Sequence, residues 1–75
     1  MKGETTMANR IPRNFKHMLI EAMTQSNAGN PGEIFEIVRD ATGEYHGTSL
    51  VTGKEWRFFP SMIRNENLFK IVEVV

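Results

Sequence analysis

Aromatic and cationic side chains are concentrated in residues 45–59, YHGTSLVTGKEWRFF, a segment that holds the only Trp and the only Tyr of the chain. Aromatic rings stack on nucleobases, and neighbouring cations neutralise phosphates, so this combination is typical of surfaces that bind single-stranded nucleic acid. The residues that would carry out this chemistry are Tyr45, His46, Lys54, Trp56, Arg57, Phe58 and Phe59.

The alternative interpretation is that these aromatic residues form the hydrophobic core. Successive side chains of a strand point to opposite faces, which places Trp56 and Phe58 on one face and Arg57 and Phe59 on the other. Because each face then carries an aromatic ring, we expect at least one of these rings to lie outside the main core.

A second cationic segment lies near the N-terminus. Residues 7–18 contain three basic residues and no acidic one, namely Arg10, Arg13 and Lys16. Residues 1–13 predict a flexible basic arm, and such an arm can reach into a groove or hold phosphates. The alternative is a solvated tail with no binding role, because three charges are few.

Residues suited to catalysis are scarce. Glu44 and His46 lie two apart on a predicted strand, hence on one face, and could share a proton. His17 and Glu21 lie four apart on the predicted helix. Neither pair has a recognisable nucleophile or a third, orienting group. The two histidines are also far apart in sequence, which is a weak basis for a metal site. We therefore predict no enzymatic activity, no cofactor and no bound metal.

Composition limits the remaining possibilities. The chain has 75 residues, of which 40% are hydrophobic and 24% charged, which is enough for one small folded domain. The 9 basic and 9 acidic residues balance, so any attraction for polyanions must come from a local patch. The absence of cysteine excludes disulfides and thiolate chemistry and favours a cytoplasmic location. No apolar run is long enough to span a bilayer, so no membrane partner is predicted.

The first predicted element is a helix over residues 14–25. Asn14 is a candidate N-cap, because its side chain can accept a hydrogen bond from the first turn. Apolar residues then recur at the three- and four-residue spacing of one helical face. These residues are Phe15, Met18, Leu19, Ala22 and Met23.

The period changes after the turn-forming residues 26–32. Segments rich in β-branched and aromatic residues alternate with turn signals, such as Thr42-Gly43 and Thr52-Gly53, which is typical of an antiparallel meander. The connection over 61–67 predicts an irregular segment or a single helical turn. The predicted strands are 33–39, 44–51, 54–59 and 68–75.

Over residues 33–75, the strand lengths, the turn positions and the ending of turn followed by final strand resemble the SH3-like small β-barrel superfold, which includes KOW-, Tudor- and Hfq-type modules. The resemblance implies an α+β, mostly β chain, in which the N-terminal helix precedes a small antiparallel barrel or curled sheet of four to five strands. Residues 14–75 would form one domain and residues 1–13 the arm. The alternative is an open α+β sheet with the helix packed across one face.

The last predicted strand, LFKIVEVV, is apolar on both faces. Such a strand is usually covered on both sides, and an uncovered one would be an exposed edge that invites pairing with a second chain. A homodimer or a ring built by edge pairing is therefore a candidate assembly.

Together these patterns predict a non-enzymatic, cytoplasmic binding and regulatory module that contacts nucleic acid through the aromatic-basic hairpin and the arm. The alternative is a protein-interaction module, for example a phage or mobile-element accessory protein that binds and modulates a host protein. The residues predicted to bind nucleic acid or a partner protein are Arg10, Arg13, Lys16, Lys54, Trp56 and Arg57.

Overall fold

The structure, a computed structural model, describes residues 9–25 and 29–75. Its main element is a five-stranded antiparallel sheet with the strand order β4-β3-β2-β1-β5, and one short helix connects β4 to β5. The elements are β1 (Met18–Ala22), β2 (Ile34–Arg39), β3 (Tyr45–Ser49), β4 (Glu55–Phe58), α1 (Pro60–Arg64) and β5 (Phe69–Val74).

The predicted helix over residues 14–25 is wrong, because this segment contains strand β1. Along β1, Met18, Ile20 and Ala22 are buried, whereas Leu19 and Glu21 face the opposite side of the sheet. A short apolar segment fits a period of two and a period of 3.6 almost equally well. Pairing with β2 on one side and β5 on the other satisfies the backbone of β1, and this tertiary pairing overrides the local helical pattern.

The other predicted strands are confirmed, with ends within a few residues of the prediction. They correspond to β2, β3, β4 and β5, and the predicted turns connect the first three of these. Gly43 and Gly53 have φ angles of 92° and 79°, a backbone conformation that residues with a side chain rarely adopt. The two glycines therefore allow the tight reversals that set the register of β2 with β3 and of β3 with β4.

The predicted barrel is also wrong, because the sheet is open. Strands β4 and β5 lie at opposite ends of the strand order and share no ladder within the described residues. The chain passes from one edge to the other through α1, whose Ile63 is fully buried. The helix is therefore in the middle of the sequence rather than at its start, so the predicted N-terminal helix across an open sheet is not observed either.

One face of the sheet carries the hydrophobic core. Three aromatic rings, those of Phe35, Phe58 and Phe69, contact one another edge-on, with centroids 5.4 to 6.2 Å apart. Phe58 and Phe69 belong to the two edge strands, so the sheet must curve over its core to bring their rings together. The remaining buried apolar residues are Met18, Ile20, Ala22, Ile37, Tyr45 and Ile63.

The outer edge of β5 is partly capped by a side chain. Asn9 is only 4% exposed, and its amide nitrogen donates to the carbonyl oxygen of Phe69 over 2.5 Å. Its amide oxygen accepts a hydrogen bond from the backbone N–H of Ile71 over 3.3 Å. A carboxamide has the same donor and acceptor as a peptide unit, so Asn9 replaces one residue of a neighbouring strand at this edge.

We expect Gly47→Ala to lower the free energy of unfolding by about 1–3 kcal/mol through overpacking. An added Cβ would lie 2.6 Å from Cδ1 of Phe58 and 2.7 Å from Cδ1 of Ile37, inside the core. Urea unfolding measures the cost. The double variant G47A/I37V lacks Cδ1 of residue 37 and therefore the clash with it. The loss of unfolding free energy in the double variant should be smaller than the sum of the losses in G47A and I37V; additive losses would contradict the steric explanation.

We expect Asn9→Ala to lower the free energy of unfolding by about 1–3 kcal/mol, because it removes two hydrogen bonds from a buried position. Asn14→Ala is the matched control, since Asn14 is exposed and has no hydrogen bond to the described residues through its side chain. Equal urea midpoints for the two variants would contradict the edge-capping role of Asn9.

Candidate functional site

Trp56 and Arg57, the central residues of the predicted hairpin site, lie on opposite faces of the sheet. Trp56 is paired with Gly47 and packs, half-buried, against the core cluster. Its indole Nε1 is buried and has no hydrogen-bond partner in the described part of the chain. Arg57 is exposed on the other face, where it donates to Glu44 over 3.1 Å and lies 5.8 Å from the centroid of the Phe59 ring. The alternation in the sequence predicts this separation.

Lys54 lies exposed at the end of the turn between β3 and β4. Its backbone N–H donates to Oγ1 of Thr52, which holds the turn together. In the described ranges its ammonium group has no carboxylate partner. The three hairpin residues Lys54, Trp56 and Arg57 therefore do not form one continuous aromatic-basic surface.

The predicted arm is described only from residue 9 onward, because residues 1–8 lie outside the described ranges. Arg10, Arg13 and Lys16 are all exposed. The backbone N–H of Lys16 donates to the carbonyl oxygen of Val75 over 2.7 Å. Together with Asn9 at the β5 edge, this contact places the segment 9–16 along the sheet.

A different aromatic-basic group forms at the end of β2, and we call it the basic corner: Arg13, Phe15, Lys16, Arg39 and Tyr45. The guanidinium carbon of Arg39 lies 5.0 Å from the ring centroid of Phe15 and 5.7 Å from that of Tyr45. The two rings meet edge-on at 6.0 Å. Arg39 also donates to the carbonyl oxygen of Arg13 over 2.7 Å, which joins the N-terminal segment to the sheet.

The cations of the basic corner form no salt bridge with the part of the chain that the structure describes. Among residues 9–25 and 29–75, no carboxylate lies within salt-bridge distance of Arg13, Lys16 or Arg39. Arg39 and Phe15 were missed by the sequence analysis. The register of β2 with β3, which places Arg39 opposite Tyr45, was accessible from the hairpin turn, but the approach of Phe15 was not.

The face of the sheet opposite the core carries a second polar group, which we call the outer-face cluster: Asp40, Glu44, His46, Glu55 and Arg57. Nε2 of His46 lies 2.7 Å from a carboxylate oxygen of Asp40, and Nδ1 lies 3.5 Å from Glu55. The predicted pairing of His46 with Glu44 is therefore replaced by contacts to two other carboxylates, while Glu44 binds Arg57.

The other histidine also has a partner that the sequence did not suggest. His17 lies 3.4 Å from Glu36 on the neighbouring strand β2, rather than beside Glu21, because the segment is extended instead of helical. Since both groups are more than one-third exposed, this contact contributes little to stability.

Asp40 holds the turn between β2 and β3 together. One oxygen of its carboxylate accepts from the hydroxyl of Thr42 over 2.6 Å and from the backbone N–H groups of Thr42 and Glu44 over 2.9 and 3.0 Å. Hydrogen bonds from the hydroxyl of Thr42, and then from His46, hold the pKa of Asp40 far below its ordinary value of 3.8. The carboxylate therefore stays ionised over the whole physiological pH range.

The buried polar pair of Ser49 and Glu33 has a structural role. The hydroxyl of Ser49 donates to the carboxylate of Glu33 and accepts the backbone N–H groups of Val51 and Thr52, each over 3.1 Å. The hydrogen bond from Ser49, followed by that from the backbone of Asn30, lowers the pKa of Glu33. All of these hydrogen bonds close loops. In the described residues, no base other than Glu33 lies beside Ser49 to activate it as a nucleophile.

Comparisons with known proteins found no matching family model, no matching curated protein and no matching solved structure. Within residues 9–25 and 29–75 there is no helix with the length and apolarity needed to cross a membrane.

We expect acid to destabilise the fold partly through Asp40. Because its pKa is lower in the folded chain than in the unfolded chain, its contribution is complete above pH 3.8 and is lost progressively as the pH falls below that value. The difference in urea midpoint between the wild type and Asp40→Asn should therefore shrink at low pH. Glu66→Gln, which changes an exposed carboxylate with no bond to the described residues, serves as the control; a D40N difference that is constant with pH would contradict this role.

Proposed function

We propose that this chain is a non-enzymatic module that binds single-stranded nucleic acid through the basic corner. The observation that supports this proposal is the position of Arg39 over the ring of Phe15, next to the segment that carries Arg13 and Lys16. None of these three cations has a carboxylate partner in the described residues. Unneutralised cations release the counterions of a nucleic acid on binding, and this release supplies most of the sequence-independent affinity.

Arg39 is the central residue of the proposed surface. Its guanidinium group is held over Phe15 and tied to the carbonyl of Arg13, so its orientation is set before any ligand arrives. A guanidinium plane fixed in this way can stack on an unpaired base while its remaining N–H groups donate to phosphate. Arg13 and Lys16, on the adjoining N-terminal segment, would hold the neighbouring phosphates.

The hairpin contributes less in this proposal than the sequence suggested. The charge of Arg57 is offset by Glu44, and Asp40 and Glu55 add further negative charge on the same face. That face would repel a phosphate backbone. Trp56 packs against the core on the other face, and Lys54 would contribute as an exposed cation at the edge of the hairpin.

We expect Arg39→Ala to weaken the binding of a mixed-sequence single-stranded oligonucleotide and to reduce the slope of log K against log salt by about 0.7 for each phosphate that the variant no longer neutralises. Arg13→Ala should act in the same direction. Fluorescence anisotropy of a labelled oligonucleotide, measured at several salt concentrations, gives both the affinity and the slope.

The matched control is Arg64→Ala, which removes the same charge from α1, an exposed position with no carboxylate partner in the described residues. If R64A weakened binding as much as R39A, the effect would reflect total charge rather than the basic corner. Binding that did not change with salt would also contradict the proposal.

A second candidate function, docking on a protein, is favoured by one observation on β5. Three apolar side chains in or directly after the edge strand β5 are exposed: Val72 by 45%, Val74 by 43% and Val75 by 50%. Apolar side chains on an unpaired edge suit the addition of a strand from another chain, either a host protein or a second copy of this one. In the oligonucleotide titration, complete absence of binding at low salt would favour this candidate over nucleic acid.

A further inference from the structure

The outer-face cluster has the donor atoms of a metal site. Asp40, Glu44 and His46 each offer one ligand atom, and these atoms lie within 4.8 Å of one another. All three residues come from the hairpin of β2 and β3, whose turn is fixed by the hydrogen bonds of Asp40. One imidazole with two carboxylates is a donor set that suits divalent first-row transition metals, whereas Mg²⁺ and Ca²⁺ prefer oxygen ligands alone.

The charge of the outer-face cluster also favours a cation. Three carboxylates, those of Asp40, Glu44 and Glu55, surround His46, and Arg57 is the one cation paired with them in the described residues. The other side chains of the cluster therefore carry three negative charges against one positive charge. A divalent cation would balance this excess.

The orientation of His46 is the observation that distinguishes this cluster from an ordinary group of surface acids. Its Nε2 lies 2.7 Å from Asp40, inside the donor set, and its Nδ1 lies 3.5 Å from a carboxylate oxygen of Glu55, outside it. Histidines that bind metals usually donate their second ring N–H to a carboxylate, which fixes the tautomer and the direction of the ring. Glu55, at 3.5 Å, lies close to the position of such a partner and must move by a few tenths of an ångström to accept this hydrogen bond.

We propose that Asp40, Glu44 and His46 bind a divalent transition-metal cation, for which Zn²⁺ is the probe, and that Glu55 positions His46. Nε2 of His46 binds a cation only without a proton, so any proton on this nitrogen is released when the cation binds. If Nε2 of His46 and the carboxylate oxygen of Asp40 bind one zinc ion over about 2.0–2.1 Å at a tetrahedral angle, the two atoms must be roughly 3.3 Å apart. The pair, now at 2.7 Å, must therefore open by a few tenths of an ångström, which exposed side chains can do.

The chain provides its own control for this proposal. His17, the other histidine, faces the carboxylate of Glu36, and in the described residues it belongs to no group of three potential metal ligands. Both histidines are partly exposed, so non-specific binding of Zn²⁺ to imidazole would affect both of them alike. The absence of cysteine removes thiolates as competing ligands.

The experiment is a titration of the full chain, without a polyhistidine tag, with Zn²⁺ at neutral pH, followed by the long-range ¹⁵N–¹H NMR signals of the two imidazoles. We expect Nε2 of His46 to shift and saturate at one equivalent, with the proton of the bound imidazole on Nδ1, while His17 responds only to excess metal. Calorimetry then compares variants: His46→Ala should abolish the one-to-one binding, Glu55→Gln should weaken it about tenfold, and His17→Ala should leave it unchanged.

Two results would overturn the proposal. One is a parallel response of both histidines, which would show non-specific coordination; the other is the absence of any shift at millimolar Zn²⁺. Circular dichroism of each variant shows whether it folds, and the wild-type NMR titration decides the question even if a variant does not. The outcome is independent of the nucleic-acid proposal, because the outer-face cluster shares no residue with the basic corner.

Discussion

The arrangement of the whole sheet depends on β1 being an internal strand. It forms hydrogen bonds to β2 on one side and to β5 on the other, and it contributes Met18, Ile20 and Ala22 to the core. Without β1, strand β5 would have no partner among the described strands. The sheet would then lack the edge to which α1 leads the chain from β4. The shift of register between Leu19 and Ile20 shows that β1 also accommodates an irregularity that the meander of β2, β3 and β4 does not have.

The sequence predicted the meander well because its signals are local. Glycines at the turns and β-branched residues between them define β2, β3 and β4 without reference to the rest of the chain. Strand β1 has no such turn-forming residues at its ends. Its five residues suit either a helix face or a buried strand, and they form a strand only because segments distant in sequence pair with them. Closure into a barrel depends on whether β4 and β5 pair, and nothing in either segment specifies the absence of that ladder.

The same distinction between local and distant signals applies to the functional surfaces. The separation of Trp56 from Arg57 follows from strand alternation alone and was foreseeable. The approach of Phe15 to Arg39 joins elements whose neighbourhood the sequence pattern did not reveal. That of Glu55 to His46 joins β3 and β4, which the sequence predicted as neighbours in the meander, but the contact itself was not predicted. Sequence reasoning therefore found charged and aromatic residues of the right kinds, but it grouped them by position along the chain, whereas the sheet groups them by face.

The two edges of the sheet are protected by different means, and this has a consequence for the behaviour of the protein in concentrated solution. Edge β4 is short and carries the charged side chains Glu55 and Arg57, which are permanent obstacles to another strand. Edge β5 is protected by Asn9, whose side chain forms two hydrogen bonds to the backbone of this strand. A brief local opening near residue 9 would expose the backbone of β5 next to its exposed valines. The rate of self-association would then depend on how often the hydrogen bonds of Asn9 break, and not on global unfolding.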